Sequence, residues 1–303
     1  MRFVIWIGTE LPWPQVAETA RAADEAGWDG IYLADHFMPN EEPLRLGPRL
    51  EAWTALGALA ALTERARLGV LVSGNTYRHP AILANMAATT DRISHGRLVL
   101  GLGAGWQVNE HAAYGIDLYE IPERLARLEE ACEVVRLLLS AERANFEGHY
   151  YRLTDAPCEP KPLQAHLPLL IGTSGERLGM RIAARHGDIW NCWATPETMA
   201  HKIAVLEAHC EAVSRDPATL QRSTQALLHI TEDRAELEDW RSRPHAMPTL
   251  VGAPSEVSEA LAAYERLGVD EFVVVGRSLG GEQSARLENM AAFLEGPAAP
   301  FRA

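Results

Sequence analysis

The sequence predicts an α/β protein built as a (β/α)8 TIM barrel. Along its 303 residues, eight short apolar runs alternate with segments of helical periodicity, the pattern of parallel strands joined by crossover helices. That length suits one closed barrel, so one domain over residues 1–303 is expected. The main competitor is an open doubly wound sheet, which places a glycine-rich phosphate turn after its first strand. Here that turn is TELPW (9–13), which is not glycine-rich.

Taken in order, residues 2–8 (RFVIWIG) read as the first strand and 9–14 as a proline-bearing turn. Residues 15–26 have helical spacing, with Val16, Thr19, Ala20 and Ala23 inward and Gly27 as the stop. Strand two is 30–34, followed by Asp35-His36-Phe37 and a loop at 40–48; an Ala/Leu helix covers 51–63. Strand three, 68–72, is too short for a helix and is broken by the turn formers SGNT (73–76). Helix 79–92 is expected to turn Ile82, Leu83, Met86, Ala87 and Ile93 to one side, with Gly96 suited to the left-handed position past its end. Strand four, 97–102, runs into the glycine turn 101–105, and a long connection covers 106–121.

A helix at 122–140 precedes a small hairpin at 145–153, turning at Glu147-Gly148. Pro157, Pro160, Pro162 and Pro168 make 156–168 extended chain. Strand five (169–171) leads into GTSG (172–175), read as opening helix 176–186; strand six is 188–190 and a helix covers 196–214. Strand seven spans 223–230, and 231–248 reads as charged and irregular. Ser255 is the expected cap of a helix reaching Leu267, stopped by Gly268. Strand eight (271–275), a last helix (283–294) and a frayed tail (296–303) complete the chain.

Composition narrows the function. The net charge of −13, from 41 acidic and 28 basic residues, argues against nucleic acid and anionic membranes as general partners. No apolar stretch reaches the length of a bilayer span, and MRFVIWIGTELPWP reads as a strand rather than a signal peptide. Four cysteines without a CxxC or zinc spacing suggest reduced thiols, a cytoplasmic location and no metal site. GxSxG, P-loop and HExxH motifs are missing, which favours a cofactor that carries the chemistry itself.

Candidate site residues lie where strands end. Asp35 and His36 follow strand two, on the catalytic rim of a barrel; as an isolated pair they read equally as a surface histidine beside a capping acid. Gly172, Thr173, Ser174 and Gly175 offer N–H groups to a phosphate or form a plain capping turn. Gly101, Gly103 and Gly105 let the backbone approach something flat or anionic, though GLGAG is not GxGxxG. Glu10, Glu51 and Glu110 are acid–base candidates or ordinary solvated carboxylates, and Trp53 and Trp106 are pocket or core.

The segments GIYLADHF, LGVLVSGNTYRHP, DRISHGRLVLGLGAGW, EHAAYG, FEGHYY, LIGTSG and HGDIW, in that order, resemble the bacterial-luciferase-like family of flavin- and deazaflavin-dependent oxidoreductases. The likeness runs nearly end to end and is greatest to the branch that uses coenzyme F420. It implies a luciferase-like barrel with the cofactor ring at the C-terminal rim and a non-proline cis peptide within residues 70–73. It implies cofactor contacts from Asp35, His36, Leu71, Val72, Ser73, Asn75, Gly103, Gly105, Trp106, Gln107 and Asn109, and phosphate contacts from Gly172, Thr173, Ser174 and Gly175. Relatives commonly carry a second glycine where this chain has Thr173, and a longer insertion than 231–248.

The expected activity is hydride exchange between F420 and a small organic substrate, with His36 moving the proton and Glu110 or Glu10 as weaker candidates. An FMN-dependent two-component monooxygenase is the alternative, served by a separate flavin or F420 reductase, and a non-catalytic cofactor-binding homologue is the third. The polyglutamate tail of F420 would be repelled by a net negative surface unless Arg78, Arg177, Arg181 and Arg185 form a basic groove; scattered arginines would favour FMN. A homodimer through the helices beside strands two and three is also implied.

Overall fold

The computed structural model describes residues 1–40 and 47–302. Part of the loop expected at 40–48 therefore lies outside the described residues, as does Ala303. The first half runs β1 (Arg2–Ile7), α1 (Trp13–Ala26), β2 (Gly30–Leu33), α2 (Ala52–Leu62), β3 (Arg67–Val70), β4 (Ser73–Gly74), α3 (Pro80–Ile93), β5 (Leu98–Gly103), α4 (Val108–Tyr114) and α5 (Ile121–Ser140). It continues through the hairpin β6 (Ala144–Glu147) and β7 (Arg152–Ala156), then β8 (Leu169–Gly172), α6 (Gly179–His186), β9 (Ile189–Trp193), α7 (Pro196–Ala212) and β10 (Gln221–Ile230). α8 (Arg234–Ser242), β11 (Thr249–Gly252), α9 (Pro254–Arg266), β12 (Glu271–Val275) and α10 (Gln283–Glu295) finish it.

Eight of these strands, in the order β12-β1-β2-β3-β5-β8-β9-β10, pair in parallel, and β10 closes the ring onto β12. The closed parallel sheet with its helices outside is the (β/α)8 barrel that the alternating apolar runs predict. β4 continues the line of β3 beyond residues 71–72 and pairs with β5, while β11 pairs with the far end of β10.

Two apolar layers hold the barrel. Between strands and helices lies a large cluster that includes Phe3, Trp28, Leu56, Leu100, Ile171 and Phe293. Burying each such side chain contributes on the order of 2 kcal/mol. Inside the ring, Val4, Tyr32, Leu71, Val99, Leu170, Ile189 and Val273 pack together, with Trp6 and Val72 half-buried at the open end. The floor beneath is polar but matched: Glu271 accepts from Ser223 Oγ at 2.9 Å and from the Tyr32 hydroxyl at 3.3 Å, and Asn191 donates to Ser223 at 2.9 Å. This seals the N-terminal end and leaves the C-terminal end as the mouth.

Several elements differ from the sequence expectation. The connection 106–121 contains α4, whose buried residues are Glu110 and His111; a helix that buries polar groups has no apolar stripe to read. The stretch 231–248 contains α8, capped by Asp233 and burying only Leu237. α6 starts at Gly179, so GTSG precedes it by a turn instead of opening it. Ala253, not Ser255, is the residue before α9, and its N–H donates to Glu256 at 2.8 Å. Ile82 and Ile93 point to solvent, 58 % and 41 % exposed, because Leu83, Ala84, Ala87 and Ala88 take the core face of α3. The tail is tied down: the Met1 amine donates to Phe301 O at 2.9 Å and Arg302 to Gly27 O at 3.1 Å. The hairpin is present, with its turn closed by Gly148 N–H to Tyr151 O at 2.9 Å.

Candidate active site

Beyond β2 the chain carries Asp35, His36 and Phe37 across the mouth, and α4 comes up beside them. Gly105, with φ of 82°, makes the bend that α4 requires. Its φ excludes most side chains, and a Cβ there would also strike Thr76 Oγ1 at 2.5 Å. α4 then puts Glu110, fully buried, against the β2 loop. His36 Nδ1 lies 2.8 Å from Glu110 Oε1, the Phe37 N–H donates to Oε2 at 2.9 Å, and the Tyr77 hydroxyl donates to Oε1. Burial pushes the Glu110 carboxyl up, but these donors outweigh it and hold it below its ordinary value. The same burial, with Glu110 beside it, raises the Tyr77 phenol, so Tyr77 remains a donor.

An ionised Glu110 that accepts from Nδ1–H leaves Nε2 as the working atom of His36. The Trp106 ring stands edge-on to His36 at 5.3 Å, and Phe37 meets Tyr77 at 4.9 Å and Tyr114 at 5.7 Å. Gln107 and Asn109 pin the loop by donating to Met38 O and Pro39 O at 3.0 and 2.9 Å.

Other expected site residues have different partners. Asp35 is buried and takes two hydrogen bonds from Arg78, at 2.5 and 2.9 Å, and one from Gly74 N at 3.1 Å. Burial raises its carboxyl despite Arg78. Asp35 therefore holds Arg78, which also binds Glu51 at 2.5 Å, rather than presenting a free carboxylate. Ser73 Oγ accepts from Trp53 Nε1 at 3.0 Å, which makes Trp53 core. Glu10 pairs with Arg49 at 2.7 Å and folds over Gly8.

The glycine turn has a partner inside the protein. The Leu71–Val72 peptide is cis, within the expected 70–73. The Val72 side chain lies where a Cβ on Gly103 or Gly172 would sit, at 2.5 and 2.8 Å, and a Cβ on Gly101 would meet Val70 O at 2.1 Å. These glycines admit the bulge: the groups packed against them are the Val72 side chain and the Val70 carbonyl.

Sequence reasoning missed four residues here. Trp6 and Trp193 face each other across the mouth at 5.9 Å, and Gln225 pairs in register with Trp193. Trp6 Nε1, Gln225 Oε1 and Asn75 Oδ1 are buried without a partner. One donor and two acceptors are thus left open for a polar ligand at the mouth, and Val72 offers an apolar floor beneath. The fourth is Lys202 of α7, which donates to Ser174 O at 2.9 Å and Glu176 at 2.6 Å, bringing a cation to the GTSG turn. In that turn Thr173 N and Gly175 N are already used, by Asn191 O and Thr173 Oγ1. Of the four arginines, Arg78 is held by Asp35, and Arg181 and Arg185 pair with Glu129 at 3.2 and 2.5 Å, while Arg177 is exposed just past the GTSG turn. No sequence signal marks Trp6, Gln225 or Lys202, because each sits in an ordinary strand or helix context.

Among the described residues no cluster of histidine, cysteine and acids suits a metal ion, and no helix is long and apolar enough to cross a membrane.

Comparison with known proteins identifies the class. The luciferase-like monooxygenase family profile matches residues 1–249, and the chain belongs to that family. It is 34 % identical to an F420-dependent glucose-6-phosphate dehydrogenase of Kineococcus radiotolerans over 232 residues, covering 75 % of this chain and 67 % of that protein. It is 31 % identical to the F420-dependent hydroxymycolic acid dehydrogenase of Mycobacterium tuberculosis over 273 residues, covering 85 % and 73 %. Another F420-dependent glucose-6-phosphate dehydrogenase, of Amycolatopsis mediterranei, is 36 % identical, and the chain spans only about half of its length, 52 %. The fold is shared with an F420-dependent secondary alcohol dehydrogenase holding an F420–acetone adduct, at TM-score 0.81 and 20 % identity over 97 % of this chain and 99 % of that one.

Proposed function

We propose that the chain is a coenzyme F420-dependent oxidoreductase, exchanging a hydride between the deazaflavin and a small organic substrate, with residues 1–303 acting as one barrel. The observation that carries this reading is the His36–Glu110 pair at the mouth, 2.8 Å apart and backed by Tyr77 and Phe37 N. The F420-dependent relatives support the choice of cofactor.

Bound F420 supplies or accepts the hydride. The protein must then handle the proton. When an alcohol gives up its hydride, the hydroxyl proton passes to His36 Nε2, and Glu110 balances the imidazolium; reduction runs the same path backwards. Val72, Gly103 and Gly172 would underlie the ring, and Leu71 supports Val72 from inside the barrel. Trp6, Asn75 and Gln225 would meet its polar edge. Gly172–Gly175 would hold the phosphate, with Lys202 bonded to that turn from α7, while Gly105, Trp106, Gln107 and Asn109 shape the wall that presents His36. Asp35 and Ser73 act from beneath as supports.

The acid partners of Arg78, Arg181 and Arg185 favour FMN as a second reading, with reduced flavin delivered by a separate reductase. Titration with F420 and with FMN separates the two. Tight F420 binding is expected, and tight FMN binding without F420 affinity would overturn the proposal. In the F420-loaded protein, His36→Gln is expected to lower turnover by roughly 10²–10⁴-fold with F420 affinity retained.

Two further features belong to this reading. α2 carries no charged residue, and on α3 only Asp91, which is buried, and Arg92 are charged. This uncharged outer face, with Ile82 and Ile93 exposed, supports a homodimer. Four buried free cysteines fit a reducing, cytoplasmic setting.

A further inference from the structure

The mouth carries apolar surface of which the cofactor reading uses only Trp106. Between β5 and α5 stand Trp106, Val108, Tyr114, Tyr119 and Ile121, with exposures from 37 % to 67 %. They make up most of the large apolar side chains exposed among the described residues, gathered into one short segment. Water-exposed apolar area of this kind beside a catalytic group marks a place for a ligand's apolar body. The shelf is continuous with the site: Trp106 meets His36 edge-on at 5.3 Å, and Tyr114 meets Phe37 at 5.7 Å.

The charges around it tell the same story. A phosphorylated substrate needs a cation that is not already matched. Among the described residues bordering the mouth, Arg49 holds Glu10 and Arg78 holds Asp35 and Glu51. Arg124 donates to Gly105 O at 2.6 Å, and Arg127 holds Glu123 while lying over the Tyr119 and Tyr150 rings at 3.9 and 4.4 Å. Each of these four cations is engaged, and moving one onto a phosphate would strand an acid or a carbonyl.

We infer that the substrate is an uncharged alcohol or carbonyl compound whose apolar body lies on the Trp106 shelf and whose oxygen reaches His36 Nε2. A sugar phosphate, the substrate named for the glucose-6-phosphate dehydrogenase relatives, has no apolar body to lay on this shelf. The inference rests on the oxidoreductase reading above for the role of His36.

Calorimetric binding of 4-phenylbutan-2-ol and of glucose 6-phosphate tests it, on the protein with and without F420, whose own binding is followed by deazaflavin fluorescence. The alcohol should bind and glucose 6-phosphate should not. Trp106→Ala should weaken the alcohol by about tenfold or more, and Trp106→Phe should restore most of the loss. Tyr114→Ala should weaken it less, and thermal melts check that each variant is folded. Tighter binding of glucose 6-phosphate overturns the inference, as does an alcohol affinity that neither Trp106→Ala nor Tyr114→Ala moves. Self-association that buries the shelf and excludes the alcohol overturns it too. If F420 fails to bind while the alcohol binds with the same Trp106 dependence, the cofactor reading falls and the shelf stands.

Discussion

Glu110 is a fully buried carboxylate that faces three donors, and the balance among them decides what His36 can do. A buried acid ordinarily drifts toward its neutral form, whereas donors hold it ionised. Here the donors prevail. Tyr77 supplies one of them and has Phe37 and His111 packed on its ring, with His111 stacked at 4.8 Å. Removing the Tyr77 hydroxyl, with the ring kept, should therefore let Glu110 protonate at higher pH. A hydrogen bond to a charged group is worth about 1.5–3 kcal/mol, or on the order of one to two pH units. In Tyr77→Phe the acid limb of the kcat/KM profile is expected to move up by about one unit, with little change on the alkaline side. An equal loss at every pH would show that Tyr77 only fills space.

At the scale of elements, Asp24 joins three of them. It sits in the last turn of α1 and accepts the N–H groups of Glu64, Arg65 and Ala66, at 2.8, 2.9 and 2.6 Å, where the chain leaves α2 and enters β3. Removing the carboxylate breaks all three bonds at once, one of them from the buried Ala66 N–H. Asp24→Ala is expected to cost about 2–4 kcal/mol in urea unfolding. Burial pushes the Asp24 carboxyl up, yet the three backbone donors and Arg97 leave it below its ordinary value. A carboxyl lowered in the folded state stabilises fully above its unfolded value of about 4 and loses that contribution as pH falls through the folded value. The gap between wild type and Asp24→Ala should thus be wide at neutral pH and narrow in acid; a gap independent of pH would refute the assignment.

For the whole molecule, the outer face of α2 and α3 carries a single exposed charge, Arg92. Its exposed Ile82 and Ile93 flank Asn85 and Thr89, whose side chains bond back to their own helix at 2.8 and 2.9 Å. A second copy covering this face, as proposed above, would account for two adjacent helices with so little charge. Wild-type protein is expected to sediment as a dimer, and Ile82→Glu with Ile93→Glu as a monomer that still melts cooperatively. A monomeric wild type at micromolar concentration would leave the face unexplained.

Most of the fold was legible in the sequence because a parallel barrel repeats one local rule. Each buried strand needs an apolar run, and each crossover needs a helix with one apolar stripe. Elements outside that rule were not legible. α4 turns polar groups inward, α8 buries a single leucine, and the tail is held by bonds to residues at the other end of the chain. The site divides the same way. His36 and Glu110 stand out by residue type and strand-end position, but nothing local says that they touch.

By itself the sequence determined the barrel, the strand ends that face the mouth, and the family whose blocks run through them. Only the tertiary structure decided which groups meet. It gave Asp35 to Arg78 and Glu10 to Arg49, and it filled the glycine turn with Val72. It left Trp6, Asn75 and Gln225 with open polar atoms, and it joined His36 to Glu110 across 74 positions of chain. The physical reason is range. Strand and helix preferences act between neighbours, whereas the pairing of buried charges depends on what closure of the barrel brings within 3 Å or so.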